Sequence, residues 1–344
     1  MGVKRFYKYS KFAFRKPLLV FRTLKNYLNL IFLRKRVLRK VEMGITFDCN
    51  AACERCSSDK MKNSNKRKLT IEEIRRVGQE CIDLGMIQFN LTGGEPLIEK
   101  NIFEIINAFR PKKTFITINT NASLLTEDLI VRLRDAGVDK IKISVDSPIA
   151  EEHDRMRGIP GLFEHIVKML EIIKRTPGID GQLSTVVIKE NINHRIWDLV
   201  KLAEKYGATL GLTIAARSGK WINKPGIMLT DEHRKILPEL IKHPLVVRDT
   251  EAGYIKARCP AGNEELYITC YGDIIPCPLV QLSFGNVKNE SLKSIWAKLT
   301  NFPEFKKTRR ICLVGEDKGF INRYIEPIKE KKQFPVPIDE VSNA

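Results

Sequence analysis

The sequence predicts an α/β fold: an open, partial (β/α)6 barrel of the TIM-like kind, with a basic helical arm before it and a small cysteine-bearing domain after it. Three observations carry this expectation. Six short β-type runs, EMGITF, IQFNLT, TFITINT, KIKISVD, QLSTVVI and TLGLTIA, recur between residues 42 and 215. Helical stretches alternate with them, at roughly 70–85, 101–110, 126–136, 161–176 and 193–207. Start and stop signals punctuate the alternation: Thr70 before IEEI and Thr126 before EDLIVRLRDAG read as N-caps, and Gly85, Gly137 and Gly207 read as C-terminal stops. Strand–helix alternation of this kind implies a parallel sheet. Six units are too few to close an eight-fold barrel. Functional groups then belong at the C-terminal ends of the strands.

The chain has 344 residues, 43% hydrophobic and 29% charged, enough to build a core without disulfide staples. The early apolar run YLNLIFL is short and leads into RKR, which does not fit a cleavable signal peptide. No apolar run approaches the roughly 20 residues that span a bilayer. We therefore expect a cytoplasmic protein, where clustered cysteines more often hold metals than form disulfides.

The net charge of +18 is unevenly placed. Residues 1–40 carry thirteen Lys or Arg and no acid, which leaves the rest at 46 basic against 41 acidic residues. In this arm Phe6, Phe12, Phe14, Leu18, Phe21, Leu24, Leu28, Ile31 and Phe32 interleave with the charges, at near-helical spacing from Leu18 to Leu38. One reading is peripheral contact with the inner membrane face. The others are packing on the body or another subunit, or an acidic partner; nucleic acid is not the expected partner. Residues 41–216 form the barrel, 217–258 a less regular connection, 259–320 the cysteine-bearing domain, and 321–344 a tail expected to be disordered at its end.

DCNAACERCSS, at residues 48–58, places Cys49, Cys53 and Cys56 on the loop leaving the first strand. A [4Fe–4S] cluster is normally held by four cysteines. Three would leave one iron open, and open metal sites bind something reactive. Zinc with a fourth ligand from elsewhere is the alternative. One strand later, NLTGGEPL places Gly93, Gly94 and Glu95 on the same face. A glycine loop lets backbone approach a ligand. With a carboxylate beside it, the loop suits a cationic amine.

CNAACERC and GGEP together resemble the radical SAM superfamily. The resemblance implies a partial (β/α)6 barrel and S-adenosylmethionine (SAM) bound to the open iron. Reductive cleavage to a 5′-deoxyadenosyl radical, and hydrogen abstraction from a substrate, would follow. KISVDS resembles the family's fourth strand, which would give Ser144 and Asp146 a cofactor role. Arg157, with Arg155 as its rival, would reach the methionine carboxylate. Asn119 and Asn121 would line the pocket, and Asn191 would hold the cofactor's polar end. Arg55 departs from the family, where that position is often aromatic; a guanidinium can also stack on a base.

Cys259, Gly272 and Cys277, with Cys312 downstream, resemble the SPASM or twitch domains of such enzymes. That implies a second, auxiliary iron–sulfur cluster. Its fourth ligand is Cys270, or the position is left open for substrate or a non-cysteine ligand, or the cluster is lost. ELYITCYGDIIPC reads as a hairpin turning at Tyr271-Gly272-Asp273, and Cys81 reads as core. The family resemblance favours a peptide or protein substrate and a flavodoxin or ferredoxin as reductant. The arm favours a lipid, lipid-linked sugar or cofactor precursor instead. A non-catalytic electron carrier is disfavoured, because such a protein would close its cluster with a fourth cysteine.

Overall fold

The computed structural model describes residues 15–248, 258–307 and 310–342. Phe6, Phe12 and Phe14 lie outside the described residues. The arm contributes α1 (Pro17–Ile31), which ends earlier than the apolar spacing predicts. Arg34 turns the chain with a positive φ of 48°. Val37 and Leu38 are then drawn into the core, so burial overrides the helical pattern.

The strand–helix alternation follows in order. It comprises β1 (Lys40–Thr46), α2 (Ile71–Asp83), β2 (Gln88–Gly93), α3 (Ile102–Ala108), β3 (Phe115–Thr120), α4 (Glu127–Asp135), β4 (Lys140–Ser144), α5 (Ala150–Arg157), α6 (Leu162–Arg175), β5 (Asp180–Val187), α7 (His194–Lys205) and β6 (Thr209–Ile214). Thr70 accepts from Glu73 N while Glu73 accepts from Thr70 N, which satisfies two otherwise orphaned donors at the start of α2. Thr126 Oγ1 accepts from Leu129 N at the start of α4. The three predicted stop glycines all have positive φ.

All six strands are parallel and adjacent in chain order. The sheet also extends beyond them. β7 (Val246–Arg248), from the connecting region, adds to the β6 edge. β8 (Glu265–Thr269) pairs in parallel with β1, and β9 (Ile274–Ile275) returns antiparallel to complete the predicted hairpin. The cysteine-bearing region therefore continues the barrel's own sheet, giving nine strands in the order β7-β6-β5-β4-β3-β2-β1-β8-β9.

Period-two alternation sorts the strand residues. Val41, Met43, Phe89, Leu91, Ile116, Ile118, Ile141, Ile143, Leu266 and Ile268 are fully buried in the main core. Lys40, Glu42, Asn119, Lys142, Ser184, Glu265 and Tyr267 turn the other way and line a cavity inside the barrel. The tail is ordered as far as described. β10 (Leu282–Ser283) pairs with β11 (Val336–Pro337), and Phe320, Tyr324, Ile328 and Phe334 are buried. Those apolar side chains explain the order that the charged composition concealed.

Candidate functional site

The loop bearing Cys49, Cys53 and Cys56 is held from three sides. The GGEP segment holds its stem: Gly94 N donates to Thr46 O at 2.7 Å, and Glu95 N to Asp48 O at 2.9 Å. The end of α5 holds its middle, with Ala52 N donating to Arg157 O at 3.1 Å and Glu54 N to Met156 O at 3.0 Å. The connection after β6 holds its far end. There Lys220 N donates to Cys56 O at 3.0 Å and Lys220 Nζ to Cys53 O at 2.9 Å. A Cβ on Gly219 would lie within 3.0 Å of the Cys56 and Ser57 carbonyl oxygens. Sequence reasoning missed this clasp. The glycine in RSGKW, placed just after the sixth strand, is the signal that could have found it.

Burial raises the Cys56 thiol, and Cys53 and Cys49 add to the rise. Arg157 Nη1 donates to Cys53 Sγ at 3.6 Å, and Asn121 Nδ2 lies 4.0 Å from Cys49 Sγ. Three thiols on one loop, with the Arg157 guanidinium beside Cys53, fit a cluster that carries negative charge and one open iron. Among the described residues no group of ligating side chains is spaced to hold a single metal ion.

Gly93 and Gly94 are required by backbone packing. Gly93 has φ +134°, and a Cβ there would lie within 3.0 Å of Thr46 O. Glu95 is fully buried. Its carboxylate accepts from Thr120 Oγ1 at 2.7 Å, Asn121 N at 2.7 Å and Leu97 N at 3.1 Å. It therefore ties the GGEP loop to the end of β3, and burial pushes its carboxyl up. Asn191 accepts from Ile188 N and donates to Val186 O, both at 2.9 Å, so both ends of its amide are used in the turn after β5.

Arg157 and its rival are separated by the structure. Arg155 reaches outward to Glu54 at 2.5 Å, with both side chains exposed. Arg157 Nε lies 2.9 Å from Asp146 Oδ2, in an ion pair whose N–H is not aimed at the oxygen. Asp146 N in turn donates to His153 Nδ1 at 3.2 Å. Burial first, and then the Arg157 charge, push His153 down to about 4, so its ring is neutral at pH 7. Ser144 ends β4 beside Ser184 of β5.

Cys259, Cys277 and Cys312 line one cavity of about 270 Å³ together with Arg55, Ser57, Thr92, Gly93 and Asn119. The second triad thus opens onto a space that Arg55, Ser57 and Ser58, neighbours of the first triad in its loop, also line. Burial pushes the Cys259 thiol up to about 11 and Cys312 up to about 12; Cys277 also rises. Cys259 and Cys312 each add to the rise at Cys277, so the three stand together. Cluster assembly there has to remove these protons.

Cys270 is the exception. It lies in a separate cavity of about 200 Å³ with Met43, Lys68 and Ile105. It follows Leu266 and Ile268 on the helix-facing side of the strand, whereas Glu265 and Tyr267 face the other triad. One residue of strand register decides the side. The structure thus sets Cys270 apart from the cavity that Cys259, Cys277 and Cys312 line.

Two cysteine triads, one lining the barrel cavity and the other on a loop whose neighbouring residues line it, define a class: an enzyme of the iron–sulfur kind. Comparison with known proteins gives the family. Residues 43–203 match the Radical SAM superfamily, and residues 259–314 match SPASM, an iron-sulfur cluster-binding domain. The chain belongs to the radical SAM superfamily and carries a SPASM-type auxiliary domain.

It is 26% identical over 302 residues to an AdoMet-dependent heme synthase of Oleidesulfovibrio alaskensis, covering 78% of this chain and 76% of that one. It is also 26% identical over 282 residues to a PqqA peptide cyclase of Granulibacter bethesdensis, covering 77% and 75%. Among solved structures, Streptococcus suis SuiB bound to its precursor peptide SuiA superimposes with a TM-score of 0.64 at 17% identity. That match covers 86% of this chain and 74% of SuiB, and it establishes a shared fold. The radical SAM domain implies a [4Fe–4S] cluster with SAM, and the SPASM domain implies an auxiliary iron–sulfur cluster.

Proposed function

We propose that this radical SAM enzyme takes hydrogen from a carboxylate-bearing group, presented by a peptide, in the cavity lined by the second triad and by Arg55, Ser57 and Ser58 of the first triad's loop. One observation carries the reading. Among the charged residues lining the cavity, Lys40 pairs with Glu42 and Glu265, and Arg248 pairs with Glu316 at 2.5 Å. Arg55 and Lys142 have no ion-pair partner among the described residues. Arg55 Nη1 is buried without a hydrogen-bond partner, its guanidinium 5.3 Å from the Trp221 ring centre. Asn119, beside Lys142 in the β3–β4 register, also has a buried Oδ1 without a partner. Buried polar atoms such as these are costly to leave without a partner unless a ligand completes them.

Cys49, Cys53 and Cys56 hold the cluster that, when bound, supplies the electron for SAM cleavage and hence the 5′-deoxyadenosyl radical. The Gly93–Gly94 backbone, Ser144, Asp146 and Arg157 orient SAM, with Asn119 toward its inner side. Glu95 and Asn191 act indirectly, by fixing the turns that carry this pocket. Cys259, Cys277 and Cys312 would hold the auxiliary cluster at the cavity that they line. A flavodoxin or ferredoxin is the expected reductant.

The test uses anaerobically reconstituted protein with SAM and dithionite. 5′-Deoxyadenosine should form, and should vanish in a Cys49, Cys53 and Cys56 triple alanine variant. Short peptides containing Glu or Asp should stimulate its formation more than their amide counterparts, and Lys142→Met should remove the difference. Equal stimulation by the amides would sink the carboxylate reading. Stimulation by small dicarboxylic acids but by no peptide would favour the second reading, a carboxylated cofactor precursor, which the heme synthase likeness supports.

Iron analysis separates the second triad from Cys270. Cys270→Ala should retain about eight irons per chain and Cys277→Ala about four, since each cluster of this type holds four. A fall to about four irons in Cys270→Ala would restore that residue as a ligand.

A further inference from the structure

The arm helix is docked the wrong way round for a helix that belongs to the core. Its polar groups face inward. Lys16 Nζ donates to Thr114 O at 2.9 Å and pairs with Asp139. Arg22 Nη2 donates to Ile82 O at 2.8 Å and to Met86 O at 2.9 Å, and Asn26 Nδ2 to Gly85 O at 2.6 Å. Leu19 and Leu30 are its apolar contacts, against Val37, Ile87 and Phe115.

The large apolar side chains face outward: Leu18, Phe21, Leu24, Leu28, Ile31 and Phe32 are between 49% and 74% exposed. Of the thirteen large hydrophobics exposed among the described residues, eight lie between residues 18 and 33. This is a continuous stripe at i, i+3 and i+4 spacing, not a scatter of single residues, and such patches mark interaction sites.

Charge identifies what covers it. Lys25, Arg34 and Lys35 are exposed on or just after the helix. The loop before β3, at the same end of the barrel, adds exposed Arg110, Lys112 and Lys113. The exposed acids near them are fewer, with Asp83 accepting from Gln79 and Asp135 paired with Arg134. No helix among the described residues is long and apolar enough to cross a membrane. An apolar stripe bordered by cations suits the interface of an anionic bilayer, with the side chains in the acyl boundary and the cations among the headgroups.

The helix contacts Gly85, Ile87, Thr114, Phe115, Gly137 and Asp139, which precede or begin β2, β3 and β4. The cysteine loop and GGEP lie at the opposite strand ends, about one strand length or 20 Å away. We propose that α1 seats the enzyme on an anionic membrane surface through the N-terminal strand ends of its barrel, with the catalytic mouth turned away from the bilayer. This orientation offers the cavity to substrates arriving from the aqueous side. The binding does not depend on the catalytic reading, and its test uses no catalytic readout to decide it.

The experiment is flotation of the full chain with phosphatidylcholine vesicles, with and without phosphatidylglycerol. Wild type should float with the anionic vesicles alone. The double variant Phe21→Glu with Leu28→Glu should bind them about tenfold more weakly or worse, while circular dichroism and SAM cleavage stay unchanged. A second variant, Phe21→Trp, guards against misfolding of the first: its emission should shift to the blue on anionic vesicles. No flotation of wild type together with no shift in Phe21→Trp would overturn the proposal. So would a wild-type dimer that the double variant dissociates without any vesicle binding, which would make the stripe a protein interface.

Discussion

Gly94→Ala is expected to abolish assembly of a working cysteine loop, lowering 5′-deoxyadenosine formation by about 10²-fold or more. The added methyl would stand within 3.0 Å of Asp48 O, Asp48 C and Phe47 C. All three atoms are backbone, so no side chain can swing aside. The stem of the cysteine loop must shift, and the hydrogen bonds from Gly94 N and Glu95 N to that stem shift with it. A displacement of about 1 Å in a group that orients the reaction is enough for a loss of this size. The check is a parallel measurement of iron content and single-turnover cleavage. Near-normal cleavage in Gly94→Ala would mean that the contact between GGEP and the cysteine loop is not what aligns the site.

Lys16→Met is expected to destabilise the chain by about 3–5 kcal/mol, the cost of removing one partner of a buried ion pair. Lys16 and Asp139 are both buried, at 7% and 2% side-chain exposure. Lys16 Nζ also donates to Thr114 O and Gly137 O, so its loss leaves two carbonyls and a carboxylate short of a donor. Burial pushes the Asp139 carboxyl up, and the Lys16 charge opposes that rise. Without lysine the carboxyl is driven toward its neutral form. Lys16→Met combined with Asp139→Asn should cost less than the sum of the two singles. Urea unfolding of all four forms reads the coupling directly. Independent, additive effects would show that the arm is not anchored through this pair.

Much of the site was legible because its chemistry lies in short contiguous stretches. Cys49, Cys53 and Cys56 occupy eight residues of one loop, and GGEP follows the next strand, so their meeting required only a parallel sheet. Arg157 and Arg155 could not be separated in the same way. They sit two residues apart near the end of α5, and only the packing of that helix end decides which one turns to Asp146 and Cys53. The clasp from Gly219 and Lys220 was hidden for another reason. It joins residues more than 160 positions apart, through backbone carbonyls that any sequence possesses.

The order of the six strands, their helix caps and the two cysteine groups follow from patterns confined to a few residues, and those are properties a sequence carries by itself. The tertiary structure decided matters of facing and distance. It set Cys270 in a different cavity from Cys259 and Cys277, left Arg55 and Lys142 of the cavity without an ion-pair partner among the described residues, and turned the apolar side of α1 outward. The physical reason is the same in each case. An apolar stripe or a cysteine spacing states which residues share a face, but which neighbour that face meets depends on contacts between segments far apart in the chain.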